Sequence, residues 1–185
     1  VDHADSLENL DSRIKEFISG VGRIFTIPGV SASLDRLLDE NTESIDLRTY
    51  IDPMRRIKSA NEIEYMKEAA SIASSAHQKA MRNSRSGMGE WQIQSEVEGH
   101  FMSSRSQWSF PSIVGGGDNA TVLHYKNNDQ LIKSGDLVLV DAGCEVNGYA
   151  SDITRTWPVN GKFTEPQREI YELVLRSELA GIDAC

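Results

Sequence analysis

Two aspartates on neighbouring β-prone segments are the residues of this chain best placed to do chemistry. The first segment is an apolar run, residues 137–140, that ends at Asp141, and the second, residues 149–157, contains Asp152. Between them stands Asn147-Gly148, the dipeptide most typical of a tight β-hairpin turn. The sequence therefore predicts a hairpin with one carboxylate on each strand.

The turn decides which side chains face one another across that hairpin. If Asn147-Gly148 supplies the two loop residues of a type I′ turn, Asp141 lies opposite Thr154 and Gly143 lies opposite Asp152. All four residues then share one face, because side chains alternate along a strand. We expect the two aspartates to be diagonal neighbours, roughly 7–8 Å apart at the backbone, with Gly143 leaving room between them.

Two carboxylates on one face of apolar strands cannot both stay ionised without a compensating charge. A divalent cation supplies that charge. One carboxylate can bridge two such ions at roughly 3.5–4 Å, a spacing that hydrolytic enzymes use to activate water. Aspartate beside a hairpin is also ordinary turn chemistry. The hairpin alone therefore leaves two interpretations open, a metal site and a structural turn.

The composition is that of a globular protein, with 39% hydrophobic and 25% charged residues in a chain of 185. That length suits one domain, or one domain and a fragment. The net charge of -9 argues against nucleic acid or an anionic membrane as a partner, since both require a basic surface. Two cysteines, Cys144 and Cys185, make no disulfide framework and indicate a reducing compartment. We expect the cytoplasm, with the mitochondrion as the alternative. We expect Cys144 to be a small buried core residue.

The N-terminal part of the chain alternates helical and strand-like patterns. A helix is predicted over residues 7–18 and a strand within residues 23–30, followed by a second helix and a strand near residues 45–51. These elements are too few to hold a sheet alone. Residues 1–52 are therefore expected to be the C-terminal remnant of an α/β N-terminal domain, with Asp52-Pro53 at the boundary and residues 53–185 as the next domain.

Two helices are predicted after that boundary. Ser59 and Glu62 form a capping box. The helix that follows would bury one face, made of Ile63, Met66, Ala70, Ala73, His77 and Ala80. The second helix, over residues 90–104, would bury Ile93, Val97 and Phe101. We expect His77 to be a core histidine and not a ligand.

A strand over residues 108–114, a triple glycine and a second strand over residues 120–125 are predicted to come next. The triple glycine is not a phosphate loop, because no Gly-Lys-Ser/Thr follows it. We expect it to allow a close approach of backbones. His124 ends the second predicted strand and is expected on the same sheet as the aspartates, where it could donate to a substrate or move a proton.

Two stretches resemble the Xaa-Pro aminopeptidases (aminopeptidase P): GGDNATVLHY from Gly116, and DLVLVDAGCEVNGYASDITRTWPVNGKFTEPQREIYELVL from Asp136. These enzymes belong to the pita-bread metallopeptidases, and the resemblance covers the chain from about Arg55 to its end. It implies an α/β (α+β) fold in which residues 53–185 form the first half of a pita-bread domain. It also implies a homo-oligomer for the full-length protein.

The resemblance further implies roles for individual residues. In that family the acid matching Asp141 binds one metal ion, and the acid matching Asp152 bridges two ions, usually manganese. The histidine matching His124 lies by the substrate and assists the reaction. The reaction is hydrolysis of the bond between an N-terminal residue and a following proline, so the implied partner is a peptide with proline at its second position.

The family's metal centre also needs a histidine and two glutamates, which would lie C-terminal to Cys185. We therefore expect these 185 residues alone to bind metal weakly, to lack peptidase activity and to associate through exposed apolar surface. Two other functions stay open, a prolidase-type dipeptidase and a non-catalytic pita-bread module that binds peptides. The presence of both aspartates and of His124 favours the enzyme.

Overall fold

The computed structural model describes residues 4–38 and 43–185. The chain divides into two compact units, Val1–Ser59 and Ala60–Cys185. The division falls C-terminal to the predicted boundary at Asp52-Pro53. The assignment of residues 1–52 to an N-terminal domain stays a prediction.

The first unit, in its described residues, combines short helices with a pair of strands. In chain order these are a 3₁₀ helix at Leu7–Asn9, α1 (Leu10–Ile18), β1 (Arg23–Thr26), α2 (Ala32–Leu37), β2 (Glu43–Asp46) and α3 (Arg48–Arg56). β1 and β2 are parallel, with Phe25 opposite Ile45. The helix–strand alternation predicted from the sequence is therefore present.

The strand predicted near residues 45–51 is wrong in its second half, because helix α3 begins at Arg48. The Asp46 carboxylate accepts a hydrogen bond from the Arg48 backbone N–H at 3.0 Å, and the Thr49 hydroxyl donates to the Asp46 carbonyl at 2.8 Å. These bonds satisfy backbone groups where the chain changes from strand to helix. Helix α3 then continues through Pro53.

The second unit places long helices against antiparallel sheets. Its elements are α4 (Ala60–Asn83), α5 (Glu90–Ser103), β3 (Gln107–Trp108), β4 (Ile113–Gly116), a 3₁₀ helix at Gly117–Thr121, β5 (Leu137–Ala142), β6 (Cys144–Val146), β7 (Tyr149–Ala150), β8 (Ile153–Pro158) and α6 (Glu165–Asp183). The strands form two sheets of order β3-β6-β7 and β4-β5-β8. All pairs in both sheets are antiparallel.

The core of this unit lies between the helices and one face of β5. Val138, Val140 and Ala142 are fully buried there together with Cys144, whose predicted core position is confirmed. The predicted face of α5 is also confirmed, since Ile93, Val97 and Phe101 are all fully buried.

The predicted face of α4 is correct only in part. Ile63 and Met66 are each 41% exposed and Ala70 is exposed. The buried positions are instead Ala69, Ala73, Ala76, His77 and Ala80. Helix and sheet approach closely through alanine, so the large apolar residues do not mark the contact.

The predicted hairpin register is confirmed. Val146 pairs with Tyr149 across Asn147-Gly148, and Asp141 pairs with Thr154. Asn147 and Gly148 both have positive φ, 51° and 84°, as a type I′ turn requires. The turn residues therefore set the pairing along the whole ribbon.

The second strand of the ribbon is not continuous, because Ser151 and Asp152 separate β7 from β8. The Ser151 hydroxyl accepts a hydrogen bond from the Cys144 N–H at 3.0 Å, and the Ser151 N–H donates to the Cys144 carbonyl at 2.8 Å. A Cβ at Gly143 would collide with the Ser151 carbonyl oxygen. Glycine is therefore required here because two backbones cross closely, and not because the two acids need room.

Candidate metal centre

Asp141 and Asp152 lie side by side on the ribbon. Asp141 is half-buried in β5, and Asp152 is exposed just before β8 begins. The Asp141 carboxyl lies close enough to the side chains of Thr154 and Asp152 for both of them to shift its pKa. The two carboxyl groups therefore share one side of the ribbon, close enough to bind a common cation.

Burial raises the pKa of the Asp141 carboxyl above its ordinary value of 3.8, and the negative charge of Asp152 raises it further, while Thr154 and His77 act in the opposite direction. The Oδ1 atom of Asp141 is buried and has no hydrogen-bond partner. A buried carboxylate oxygen without a donor is costly to the fold. A cation bound beside it would remove that cost.

His77 is buried on α4, only 2% exposed, and its predicted core position is confirmed. Its Nδ1 donates to the Ala73 carbonyl oxygen at 2.8 Å, one helical turn away. Its Nε2 is buried without a partner, and the ring contributes to the electrostatic environment of Asp141. The unpartnered Nε2 is a feature that the sequence did not reveal.

The carboxylate pair fits part of a divalent-metal site. Adjacent carboxylates with an unpartnered buried oxygen offer the hard oxygen ligands that such ions prefer. Across residues 4–38 and 43–185, no group of three or more His, Cys, Asp or Glu side chains is arranged to hold a metal ion.

His124 stands in a turn, so the strand predicted over residues 120–125 is wrong. The chain leaves β4 through Gly117, whose φ of 56° is easily adopted only by glycine, and continues as a 3₁₀ helix. The prediction that His124 lies on the sheet of the aspartates is also wrong. In the described part of the chain, no hydrogen bond or ion pair links His124 to Asp141 or Asp152.

The backbone at His124 is in an unusual conformation. Its φ is 55°, a left-handed value that non-glycine residues adopt uncommonly. The side chain is exposed, and the neighbouring Leu123 is 87% exposed. Strained, exposed residues of this kind are frequent in ligand-binding turns.

Two buried polar side chains hold the segment around His124, and the sequence argument assigned a role to neither. Asn128, 3% exposed, accepts a hydrogen bond from the Val114 N–H at 3.0 Å and donates to the Ser112 carbonyl at 2.8 Å. Glu90, at the start of α5, is fully buried. The only sequence signal for Asn128 was its place in the Lys126-Asn127-Asn128 run next to His-Tyr, and Glu90 resembled an ordinary first-turn glutamate.

An apolar groove of about 940 Å³ lies between strands β5 and β8 and helix α6. Thr154, which pairs with Asp141, is one of its lining residues. Strand residues Leu137 and Thr156 line one side of the groove, and the other side is formed by α6 through Ile170, Val174 and Leu179. The groove therefore approaches Asp141 only through its cross-strand partner Thr154, and neither Asp141 nor Asp152 lines it.

A match to a known family defines the class of protein to which this fold belongs. Residues 64–185 match the model of metallopeptidase family M24, and the chain belongs to that family. The expected fold class, with the first half of a pita-bread domain, is confirmed by this match together with the structural similarity below.

The relatives of the chain include Xaa-Pro aminopeptidases, as the resemblance in the sequence implied. The chain is 42% identical to the Xaa-Pro aminopeptidase of Haemophilus influenzae over 99% of its own length and 44% of the relative's. It is 38% identical to the mitochondrial intermediate cleaving peptidase 55 of Arabidopsis thaliana, over 100% of the chain and 39% of the relative. The solved structure of Pseudomonas aeruginosa aminopeptidase PepP is 37% identical and superimposes with a TM-score of 0.87, over 99% of this chain and 45% of that one.

The chain thus spans less than half the length of these relatives. Within the described residues, none of the helices combines the length and the apolar character needed to cross a membrane.

Proposed function

We propose that this chain contributes to the active site of a metal-dependent aminopeptidase that removes an N-terminal residue preceding proline. The observation that carries the proposal is the proximity of the Asp141 and Asp152 carboxyl groups, together with the unpartnered buried Oδ1 of Asp141. The pair lies within the part of the chain that matches the M24 family. The similarity to Xaa-Pro aminopeptidases supports the substrate, a peptide with proline at its second position.

Asp141 and Asp152 would hold divalent ions, Mn²⁺ in our proposal. When bound, such ions supply a Lewis acid for the scissile carbonyl. Asp152 is exposed and therefore accessible from solvent, whereas Asp141 is half-buried and held by β5. His124 would contact the substrate, because it is exposed on a turn of fixed, unusual backbone conformation.

These 185 residues alone would bind metal weakly and would not cleave peptides. The reason is the small number of ligands, since the described residues contain no cluster of three or more metal-ligating side chains. Calorimetric titration with Mn²⁺ tests the binding. We expect weak binding that both Asp141→Asn and Asp152→Asn abolish and that the control Asp183→Asn, at the exposed end of α6, leaves unchanged.

A chimera tests the activity. In it, this chain replaces the matching region of the Haemophilus influenzae Xaa-Pro aminopeptidase, to which it is 42% identical. We expect the chimera to cleave an Xaa-Pro tripeptide in the presence of Mn²⁺, with loss of activity on chelation and in the Asp141→Asn and Asp152→Asn variants. A folded chimera without activity would contradict the proposal.

The same chimera separates the alternatives. Cleavage of Xaa-Pro dipeptides but not of tripeptides would indicate a prolidase-type enzyme. Peptide binding that survives the loss of both aspartates would indicate a non-catalytic module.

A further inference from the structure

The buried Glu90 carboxylate is the centre of a hydrogen-bond network. The carboxylate is fully buried. Its Oε1 accepts from the Gly116 N–H at 2.8 Å and from the Asn119 amide at 2.9 Å. Its Oε2 accepts from the Tyr125 hydroxyl at 2.8 Å and from the Gln130 N–H at 3.0 Å. A buried carboxylate is tolerated when its oxygens are satisfied in this way.

These four donors are spread over one segment of the chain, residues 116–130. Gly116 ends β4, and Gln130 precedes the bridge between Gly89 and Leu131. Glu90 therefore holds both ends of the segment as well as two points within it. All four bonds run from the segment to a single side chain on α5.

Asn119 and Tyr125, the two donors within the segment, lie on either side of the turn that carries His124. The Asn119 amide also donates to the Tyr125 hydroxyl at 3.0 Å, so the side chains at either end of the turn are joined to each other and to Glu90. Asp129 lies farther from that hydroxyl, at 3.3 Å. Tyr125 immediately follows His124, so its anchored ring restricts the backbone at the histidine.

We propose that Glu90 is a positioning residue: through Tyr125 and Asn119 its carboxylate fixes the turn that presents His124 and Leu123 to a substrate. The inference rests on the proposed function, in which His124 contacts the peptide. The left-handed conformation at His124 costs free energy. The turn has a backbone bond of its own, from the Tyr125 N–H to the Val122 carbonyl at 3.2 Å, and the Glu90 network adds to it.

Glu90→Gln tests this role while nearly preserving side-chain shape. Glutamine keeps one acceptor oxygen and has an NH₂ group in place of the other, so the two donors bound to the replaced oxygen lose their acceptor. In NMR spectra of the isotope-labelled chain, we expect the Gly116 or Gln130 amide hydrogen to exchange with solvent about tenfold faster or more. We also expect the NMR signals of the His124 ring to shift or broaden. The amide of Ser151, in the distant ribbon, should keep its exchange rate.

Ile93→Val is the matched control for general loss of stability. Ile93 is a fully buried residue of the same helix and makes no hydrogen bond through its side chain. It should lower the melting temperature without moving the His124 signals. Equal changes at His124 in Glu90→Gln and Ile93→Val would overturn the proposal.

Tyr125→Phe gives a second, milder test that decides the matter if Glu90→Gln does not fold. It removes the link next to His124 and leaves the Glu90 bonds to Gly116 and Gln130. We expect altered His124 signals with those two amides still slow to exchange. Unaltered His124 signals would overturn the proposal.

In the active chimera, Glu90→Gln should lower kcat/KM about tenfold or more, whereas Ile93→Val should leave it close to the parent value. The NMR measurements of amide exchange and of the His124 signals need neither bound metal nor peptide cleavage. An inactive chimera would therefore overturn the proposed function and leave the role of Glu90 to be judged by the His124 signals.

Discussion

Asp141 is a residue whose ionisation affects the stability of the metal-free fold. Because burial raises its pKa in the folded state, the associated stability is fully present below the ordinary value of 3.8 and is lost as the pH rises through the folded value. At neutral pH the ionised carboxylate therefore destabilises the fold. The neighbouring groups Asp152, Thr154 and His77 modify this effect without removing it.

Asp141→Asn should accordingly make the metal-free chain more stable at pH 7. Urea unfolding in the presence of a chelator would measure the gain, which should shrink as the pH falls and vanish well below 3.8, where the wild-type carboxyl is protonated in both states. Asp183→Asn, on the exposed end of α6, is the control. A less stable Asp141→Asn variant at pH 7 would contradict this account.

The hydroxyl of Tyr125 should ionise at unusually high pH. Burial and the hydrogen bond to Glu90 raise its pKa from 10.0 to about 12. The stability that this shift supplies is complete below pH 10 and is lost as the pH rises through about 12. Absorbance titration of the wild type against Tyr125→Phe should show one of the five tyrosines ionising late, and that late step should move to lower pH in Glu90→Gln. A difference curve centred near pH 10 would refute the prediction.

The residues of the site differ in how far a sequence can place them. Asp141 and Asp152 were placed correctly as neighbours because the Asn147-Gly148 turn sets the register locally. His124 was placed wrongly because its turn depends on hydrogen bonds to Glu90, which lies 35 residues away from Tyr125. Local patterns do not reveal a bond between such distant side chains.

At the scale of elements, the ribbon depends on the close crossing of backbones at Gly143. Gly143→Ala should destabilise the chain by at least about 2 kcal/mol, because the added Cβ collides with the Ser151 carbonyl and the ribbon must move. Metal binding by Asp141 and Asp152 should weaken at the same time. Urea unfolding and Mn²⁺ titration measure the two effects.

Gly99→Ala provides the comparison for that substitution. Gly99 is exposed within α5, and no atom lies within 4 Å of an added Cβ. Alanine should therefore stabilise the chain there by up to about 1 kcal/mol. Equal effects at the two glycines would show that the crossing at Gly143 is unimportant.

Elements with strong periodicity could be predicted, and those shaped by tertiary contacts could not. Helix α5 and the hairpin follow patterns of apolar and turn residues that act within a few positions. The segment after β4 contains β-prone residues, Thr121, Val122 and Leu123, yet it forms a 3₁₀ helix and a turn. Its backbone donors bond within local turns, from the Val122 N–H to the Asn119 carbonyl and from the Tyr125 N–H to the Val122 carbonyl. Farther along, the Gln130 N–H donates to Glu90.

At the scale of the whole molecule, the apolar side of α6 is the feature that decides behaviour in solution. Three large apolar side chains of α6 line the groove against β8 and are each 61–62% exposed: Ile170, Val174 and Ile182. A contiguous apolar surface of this kind marks an interaction site. The expectation that this chain associates, and that the full-length protein is a homo-oligomer, stays a prediction.

Sedimentation velocity should show concentration-dependent association of the chain. Because burial of apolar surface drives it and the net charge of -9 opposes it, added salt should strengthen the association and not weaken it. Ile170→Lys and Val174→Lys should each shift the chain toward the monomer, whereas Glu172→Lys, exposed on the same helix but absent from the groove lining, should not. Glu172→Lys also adds positive charge to α6, so dissociation in all three variants would indicate an effect of charge. A chain that stays monomeric at every concentration would show that this apolar face is stable in water.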